Sequence, residues 1–557
     1  MTNRELPSSK QMTKLEANSN DRRFDAGLPF GRFEFRISNF GFPIASRTAL
    51  GLKLLAFAHS SAQAIGRFGF PAATFRLSIC TALLISAVSA FAIGGVDTPP
   101  PPAAPAQPHF PQPQETKLDN GLRVIVAQRP GLPLVAAHVV IGTGSEADAP
   151  GLAGTASLTG TLLSKGTETR SAPQIAEEIE SLGGDISSGA GWDASTATLV
   201  IMSDKVETGL TILADVVLHP TFKGEEIERV RKQRLDGLRV AMQQPGSVSG
   251  YVAERVVFGA GAYGHPAAGT IESIGKMRRD DIVGFYKAHY APANAALVLV
   301  GDISLDQGKA YAQKFFGEWN SAAEPQSNSP AGSDWKPRNV VIDMPQAGQA
   351  SVGVAKPAIK RDSPDYYAGL VANAALGNGF VSRLNREIRI KRGLSYGAHS
   401  SLDVRRDIGP FTASAQTKNE SAAEVAKLLV GEIKRLVDEP VQGEELKSRQ
   451  AVLTGSYARS LETNEGIADK LGMLAAFGLP LEKIQQFIPK VNAVTTEEVT
   501  AFAKKYLGSP SLIVAGKAPA FLDALKKDFG DVTVIPQNDL DLNSPELVKK
   551  PGRDGSP

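Results

Sequence analysis

The sequence predicts an α+β protein made of two homologous half-domains, each an antiparallel sheet with helices on one face. Three observations support this fold class. Of the 557 residues, 42% are hydrophobic and 21% are charged, which is enough apolar material for sizeable cores. Short β-rich runs alternate with stretches that have the spacing of amphipathic helices. The two halves of the chain also end in similar motifs.

The repeat is clearest near the end of each half. In the first half, Tyr290 begins a Tyr-Ala-Pro-Ala-Asn segment that leads into an apolar run ending at Gly301. In the second half, a similar segment begins at Tyr506, and its apolar run ends at Gly516. The offsets are 216 and 215 residues, and such a constant offset is difficult to obtain by chance. The half-domains are therefore expected at residues 114–320 and 338–535.

Within the first half-domain, the local pattern predicts the order of strands and helices. Strands are predicted at four short runs rich in β-branched and apolar residues, 122–126, 134–141, 198–202 and 297–300. Helices are predicted at 173–182 and 225–242, and Ser171 is the expected N-cap of the first. Strands joined by short turns favour antiparallel pairing, with the helices collected on one face.

An export signal is predicted well inside the N-terminal region. Arg67 and Arg76 precede an apolar run at 77–93, and this run contains a small-x-small pattern that ends at Ala92. Residues 76–92 are therefore interpreted as the hydrophobic region of a signal peptide. Cleavage near Ala92 is favoured because the run is short for a membrane span, and an uncleaved anchor is the alternative. A periplasmic or secreted location is expected, with membrane anchoring if the signal is retained.

Four further segments are expected to lie outside the half-domains. Residues 1–75 show no clear periodicity and form an unexplained extension. Residues 93–113 contain eight prolines and are interpreted as a semi-rigid linker. Residues 321–337 are rich in Ser, Ala, Pro and Asn and are interpreted as the linker between the half-domains. Residues 536–557 are polar and are expected to form a loose tail.

Composition narrows the classes of function. The formal net charge is +2 and no long basic run occurs, which argues against nucleic acid as a partner. The only cysteine is Cys80, so the folded body has no thiolate for catalysis or metal binding. No two of the six histidines after residue 92 lie within four residues of each other, which does not favour a local zinc motif. No convincing histidine partner for a serine nucleophile stands out either.

A series of motifs then resembles one known family. The motifs are Asp-Asn-Gly-Leu-Arg-Val at 119–124, Pro-Gly-Leu-Ala at 150–153, Lys-Gly-Thr at 165–167 and Arg-Gly-Leu-Ser-Tyr at 392–396. Together they closely resemble the insulinase/pitrilysin family of zinc peptidases, in the short-subunit branch that includes mitochondrial processing peptidase. The resemblance covers about residues 114–535. It implies that the two α+β half-domains form one half of a clamshell.

The sequence departs from this family at the metal site. Active members carry His-x-x-Glu-His on the helix before Lys-Gly-Thr, and the i, i+4 spacing lets both histidines reach one Zn²⁺. Counting back from Lys165 places these three positions at Ser157, Gly160 and Thr161. The family's spacing to its third ligand leads to Gly237. The resemblance therefore implies no catalytic residue and no metal in this chain.

The second half-domain keeps a different part of the family pattern. An Arg and a Tyr seven residues apart hold the substrate in the family, and the matching residues are Arg389 and Tyr396. Arg392 is a second candidate. The alternative is that Arg389 is a solvated helix residue and Tyr396 a half-buried strand residue. The Gly-Asn-Gly segment at 377–379 is either a turn or a peptide-contacting loop.

These features lead to one functional hypothesis and two alternatives. The chain is expected to be a non-catalytic, substrate-clamping subunit of a heterodimeric zinc metallopeptidase that degrades or processes peptides. A catalytic insulinase-family partner would carry the zinc motif and the Zn²⁺, and no cofactor is expected in this chain. The first alternative is an active metallopeptidase with non-standard ligands. The second is a non-enzymatic peptide-binding or scaffold protein of the same fold.

Overall fold

Two six-stranded sheets form the framework of the computed structural model, which describes residues 110–323 and 335–549, and five of the six strands follow the same order in both sheets. The N-terminal extension and the signal region expected from the sequence lie outside these residues, as do most of both linkers. Equivalent strands of the two sheets are separated by a nearly constant distance along the chain. For example, Leu134–Ile141 and Ala350–Pro357 begin 216 residues apart.

The first sheet has the order β1-β2-β6-β3-β5-β4. Its strands are β1 (Gln114–Lys117), β2 (Arg123–Gln128), β3 (Leu134–Ile141), β4 (Asp185–Ala190), β5 (Ser195–Met202) and β6 (Ala295–Gly301). The second sheet has the order β12-β7-β11-β8-β10-β9. Its strands are β7 (Val340–Asp343), β8 (Ala350–Pro357), β9 (Ala398–Leu402), β10 (Pro410–Thr417), β11 (Ser511–Gly516) and β12 (Thr533–Pro536).

Most strand pairs are antiparallel, and the α+β fold class is confirmed. The exceptions are β2, which runs parallel to β6, and β7, which runs parallel to β11 and β12. The pairing of β2 with β6 joins segments about 170 residues apart, so a local reading of the sequence could not predict its direction. The four strands predicted in the first half-domain are observed, with boundaries that differ by at most three residues.

The helices of the first half are α1 (Thr155–Leu162), α2 (Ala172–Ser181), α3 (Val206–Leu218), α4 (Gly224–Ala241), α5 (Pro245–Phe258), α6 (Ile271–Lys276), α7 (Arg279–His289) and α8 (Leu305–Phe316). Those of the second half are α9 (Tyr366–Leu376), a π-helix (Asn385–Lys391), α10 (Ala422–Asp438), α11 (Gly443–Ser460), α12 (Asn464–Ala476), α13 (Lys483–Asn492), α14 (Thr496–Tyr506) and α15 (Leu522–Phe529). Ser171 caps α2 as predicted. Within the described ranges, no helix combines the length and the apolar character that crossing a membrane requires.

The two halves exchange one helix each across their sheets. Helix α5 of the first half packs on β8 and β11, and α12 of the second half packs on β3 and β6. Strand β6 shows why this cover is needed, since all seven of its residues are buried. A continuous apolar strand must be covered on both faces, whereas the sequence analysis expected helices on one face only. The helix that covers the second face of each sheet comes from the other half-domain.

Residues 537–549, which follow β12, are packed against the protein and do not form the loose tail predicted from the sequence. Leu540, Leu542 and Leu547 are buried and join the apolar cluster formed by α5 and the second sheet. The guanidinium of Arg255 on α5 donates a 2.7 Å hydrogen bond to the carbonyl oxygen of Leu542. Three apolar side chains in a polar segment are therefore enough to hold residues 537–549 against α5.

Candidate functional site

Helix α1 carries three of the four positions that correspond to the family's metal site. Ser157 and Thr161 are half-buried, and the Thr161 hydroxyl donates a 2.8 Å hydrogen bond to the Ser157 carbonyl oxygen. Gly160 faces β4, where a Cβ atom would lie 2.6 Å from the carbonyl carbon of Gly189. A glutamate at position 160 therefore has no room unless α1 moves away from the sheet.

The N-terminus of α1 is held by a buried carboxylate. The two carboxylate oxygens of Asp148 accept hydrogen bonds from the amides of Gly154 and Ala156, at 2.7 and 2.8 Å. Burial raises the pKa of Asp148 to about 8, although these two hydrogen bonds oppose the shift. Both oxygens of Asp148 are therefore engaged by amides at the start of α1.

The fourth position lies on α4, which contacts α1. Gly237 is exposed, and no atom lies within 4 Å of a Cβ built on it. The neighbouring Asp236 is paired with Arg239 at 2.7 Å. Two hydroxyl side chains and two glycines lack the imidazole and carboxylate donors that Zn²⁺ requires, so these residues do not fit the ion.

Histidine and acidic side chains elsewhere do not assemble a replacement cluster in the described part of the chain. His138 lies in β3 and is buried, with its Nδ1 atom 3.4 Å from the Asp469 carboxylate. Burial lowers the pKa of His138 to about 4, and nearby Glu465 opposes this shift only weakly. His138 is therefore a residue of the core. His219 caps the end of α3, and His265 lies in a loop against Trp192.

The second half-domain presents the proposed clamp residues on a rigid segment. Arg389 lies in the π-helix, and such helices are often found at functional sites. Gly393 ends the helix with a φ of +64°, a conformation that favours glycine. The amide of Leu394 then donates to the carbonyl of Ile388, and the Leu394 carbonyl accepts the Thr417 hydroxyl. These two hydrogen bonds hold the backbone of Leu394, which lies between Arg389 and Tyr396.

The two arginine candidates differ in what they contact. The guanidinium of Arg392 binds Glu387 at 3.0 Å and Glu424 at 3.2 Å. The guanidinium of Arg389 lies over the ring of Phe380 and has no ion pair or hydrogen bond within residues 110–323 and 335–549. Arg389 thus keeps its hydrogen-bond donors available, whereas those of Arg392 are engaged.

Tyr396 is 91% exposed and is not the half-buried strand residue of the alternative interpretation. It sits on a tight turn before β9, in which the Ser395 hydroxyl donates to the Gly397 carbonyl and accepts the Gly397 amide. The ring and the hydroxyl group of Tyr396 are therefore accessible to a ligand. The Gly-Asn-Gly segment nearby is a turn at the end of α9, because the amides of Gly377 and Asn378 bind the Asn373 carbonyl.

Tyr396 stands at the rim of a cleft of about 900 Å³. One wall is the N-terminal part of α5, and the floor is formed by β8, β9 and β10. Sequence reasoning did not find this cleft. The available signal was the alternation in β10, where Thr412, Ser414 and Gln416 occupy the face opposite the apolar core.

Comparison with known proteins matches both half-domains to one family. The sequence profile described as "Insulinase (Peptidase family M16)" matches residues 123–256, and the profile described as "Peptidase M16 inactive domain" matches residues 276–453. The chain belongs to the insulinase family.

Curated relatives in the insulinase family include uncharacterized zinc proteases. One from Streptomyces coelicolor is 25% identical over 72% of this chain and 89% of its own length. One from Rickettsia bellii is 28% identical over 68% of this chain and 92% of its own length. Among solved structures, a peptidase M16 inactive domain from Pseudomonas fluorescens has a TM-score of 0.68 and 29% identity, covering 72% of this chain and 98% of that one. A protease from Helicobacter pylori has a TM-score of 0.70 at 18% identity and covers 73% of this chain and 100% of that one. At this identity the match is evidence for the fold only.

Two adjacent arginines, Arg405 buried and Arg406 half-buried, join the halves of this insulinase-family chain next to the cleft. Arg405, only 1% exposed, lies 4.2 Å from the ring centre of Trp192 and binds Glu254 of α5 at 2.8 and 3.1 Å. Arg406 binds Glu146 at 2.9 Å. The β9–β10 loop of the second half therefore anchors in the first half, which holds α5 in place above the second sheet.

Proposed function

We propose that this chain is the non-catalytic, substrate-clamping subunit of a heterodimeric zinc metallopeptidase that processes or degrades peptides. The observation that carries the proposal is the contrast between the two half-domains. Helix α1 offers hydroxyl groups and a glycine packed against β4, whereas the second half holds Arg389 and Tyr396 on ordered backbone with their polar groups open to a ligand.

Each clamp residue has a definite chemical task. The guanidinium of Arg389 can donate two parallel hydrogen bonds to a peptide carbonyl or carboxylate. The hydroxyl of Tyr396 can donate to the oxygen on which negative charge develops during attack on the scissile carbonyl. Zinc and water activation would come from a partner subunit that carries His-x-x-Glu-His.

The strand edges favour one place for an extended peptide. The outer side of β9 is covered, because the amides of Ala398 and Ser400 bind the Asn385 side chain at 3.1 Å and the Gly377 carbonyl at 3.3 Å. Strand β4 ends the other sheet and has no neighbouring strand on its outer side in the described part of the chain. A peptide could therefore extend the first sheet at β4 through main-chain hydrogen bonds.

Reconstitution tests the proposal. The purified chain alone is expected to hold no stoichiometric zinc by elemental analysis and to cleave no peptide. Hydrolysis should appear when it is mixed with an insulinase-family subunit that carries the zinc motif, such as one encoded by an adjacent gene. One tightly held zinc per chain would favour the active-metallopeptidase alternative. A partner that is fully active without this chain would favour the scaffold alternative. We also propose that the chain is exported through the signal predicted at residues 76–92, and N-terminal sequencing of the mature protein tests this.

A further inference from the structure

The cleft beside Tyr396 has a lining that the clamp does not explain. Strands β8 and β10 contribute Ser351, Thr412 and Ser414, and the first turns of α5 contribute Ser247 and Ser249. Its volume of about 900 Å³ is within the range of sites that enclose a ligand. The lining of the cleft is therefore rich in hydroxyl groups.

Two of these side chains are almost completely buried. Ser249 and Ser351 are only 5% and 3% exposed. A Cβ atom built on Gly353 would lie 3.3 Å from the Ser249 hydroxyl, so the glycine keeps this side of the cleft open. Both serines line the cleft, and neither hydroxyl group is hydrogen-bonded to another described residue, so both can bind a ligand or water there.

The formal charges around the cleft are largely neutralised. Among the lining residues, Glu254 is the only carboxylate, and both of its oxygens are bound by the buried guanidinium of Arg405. His399 and Tyr396 lie at the exposed side. A charged side chain that enters loses water and finds no free counter-ion, whereas an amide or hydroxyl exchanges its water for the hydroxyls of the cleft.

We propose that this cleft is a substrate subsite that takes an uncharged polar segment, rich in Ser, Thr, Asn or Gln, of the peptide held by Arg389 and Tyr396. This inference rests on the proposed function and adds the substrate class. Tyr396 belongs to both sites, because it stands at the rim of the cleft. A peptide bound at Tyr396 can therefore continue over the floor formed by β8 and β10.

The experiment compares matched peptides in the reconstituted complex. Three peptides share one cleavage sequence and differ in a flanking block of Gln and Ser, of Glu, or of Lys. We expect kcat/KM for the neutral peptide to exceed that for either charged peptide by about tenfold or more. Ser414 is exposed, so Ser414→Lys should be tolerated. It should raise kcat/KM for the Glu peptide and narrow the neutral-to-Glu ratio by about tenfold.

A matched variant and the possible results complete the test. Ser448→Lys places the same charge on an exposed position of α11 and should leave the ratio within about twofold. Equal cleavage of all three peptides overturns the subsite and leaves the proposed function standing. A neutral preference that Ser414→Lys does not change also overturns it, since the preference then arises elsewhere. If no peptide is cleaved by any mixture, the proposed function fails and the subsite with it.

Discussion

The guanidinium of Arg389 lies 4.6 Å from the centre of the Phe380 ring. This cation–π contact orients the arginine without using any of its N–H donors. Phe380 is itself 61% exposed, so the pair stands at the surface with one face open. The arrangement prepares Arg389 for a ligand, because the side chain is ordered before binding and gives up no ion pair.

Removing the clamp should reduce activity and leave the fold intact. In the reconstituted complex, Arg389→Ala should lower kcat/KM by about 10- to 100-fold, the loss of a charge-assisted hydrogen bond. Tyr396→Phe should lower kcat by roughly 10²–10³-fold if its hydroxyl stabilises the oxyanion. Both variants should melt within a few degrees of wild type, because neither polar group has an internal partner in the described residues. Peptide hydrolysis and thermal melts provide the measurements.

Arg392→Ala is the matched control for this prediction. It removes an arginine three residues away whose charge is engaged by Glu387 and Glu424 at the surface. Exposed ion pairs contribute about 0–1 kcal/mol to folding stability, so the variant should keep both the activity and the stability of the wild type. If both Arg389→Ala and Tyr396→Phe keep peptide hydrolysis within about threefold of wild type, less than about 1 kcal/mol of transition-state stabilisation has been lost. The clamp role is then wrong.

The two glycines at the degenerate metal positions should respond to alanine in opposite directions. At Gly160 the added Cβ meets the backbone of Gly189, so Gly160→Ala should lower the free energy of unfolding by about 1–3 kcal/mol. At the exposed Gly237, where nothing lies nearby, alanine should raise it by up to about 1 kcal/mol through helix propensity. Denaturant unfolding measures both. A stabilised Gly160→Ala would show that α1 can move away from β4 and accommodate a side chain.

Glu146 should make stability depend on pH. Burial raises its pKa to about 7, an effect that Arg406 opposes. The folded state therefore holds the proton more tightly than the unfolded chain, in which the pKa is near 4.5. The contribution of Glu146 to the free energy of unfolding is fully present below pH 4.5. It is lost as the pH rises toward 7, and the loss is on the order of 1–3 kcal/mol.

Glu146→Gln, whose side chain has no proton to release in this pH range, tests that dependence. The decrease in melting temperature between pH 5 and pH 7.5 should be smaller in this variant than in wild type. Equal decreases in the two proteins would mean that Glu146 titrates near its ordinary value in the folded state.

The segment after β12 should contribute to stability. A chain that ends at residue 536 loses the buried leucines 540, 542 and 547 and should unfold with a free energy lower by about 3 kcal/mol or more. A chain that ends at residue 549 keeps these contacts and should match the full-length protein. Identical unfolding midpoints for the two truncated chains would contradict the packing of this segment.

Local sequence patterns were sufficient to predict much of this architecture. Four strands of the first half-domain, the helices α2 and α4 and the cap at Ser171 follow from local residue patterns, and the repeat follows from a constant offset between similar motifs. The absence of zinc ligands on α1 follows from residue chemistry alone. The choice between Arg389 and Arg392 does not, because it depends on which carboxylates lie within reach after folding.

Only the tertiary structure decides what covers each sheet and where a ligand has room. The exchange of α5 and α12 between the halves pairs residues that are far apart in the chain, by more than 300 positions in the case of α12 and β3, and local periodicity carries no information about such contacts. The cleft beside Tyr396 exists because α5, anchored through Glu254 and Arg405, covers only part of the second sheet. A cavity belongs to the space between elements, so its shape depends on their packing and not on the sequence of any one of them.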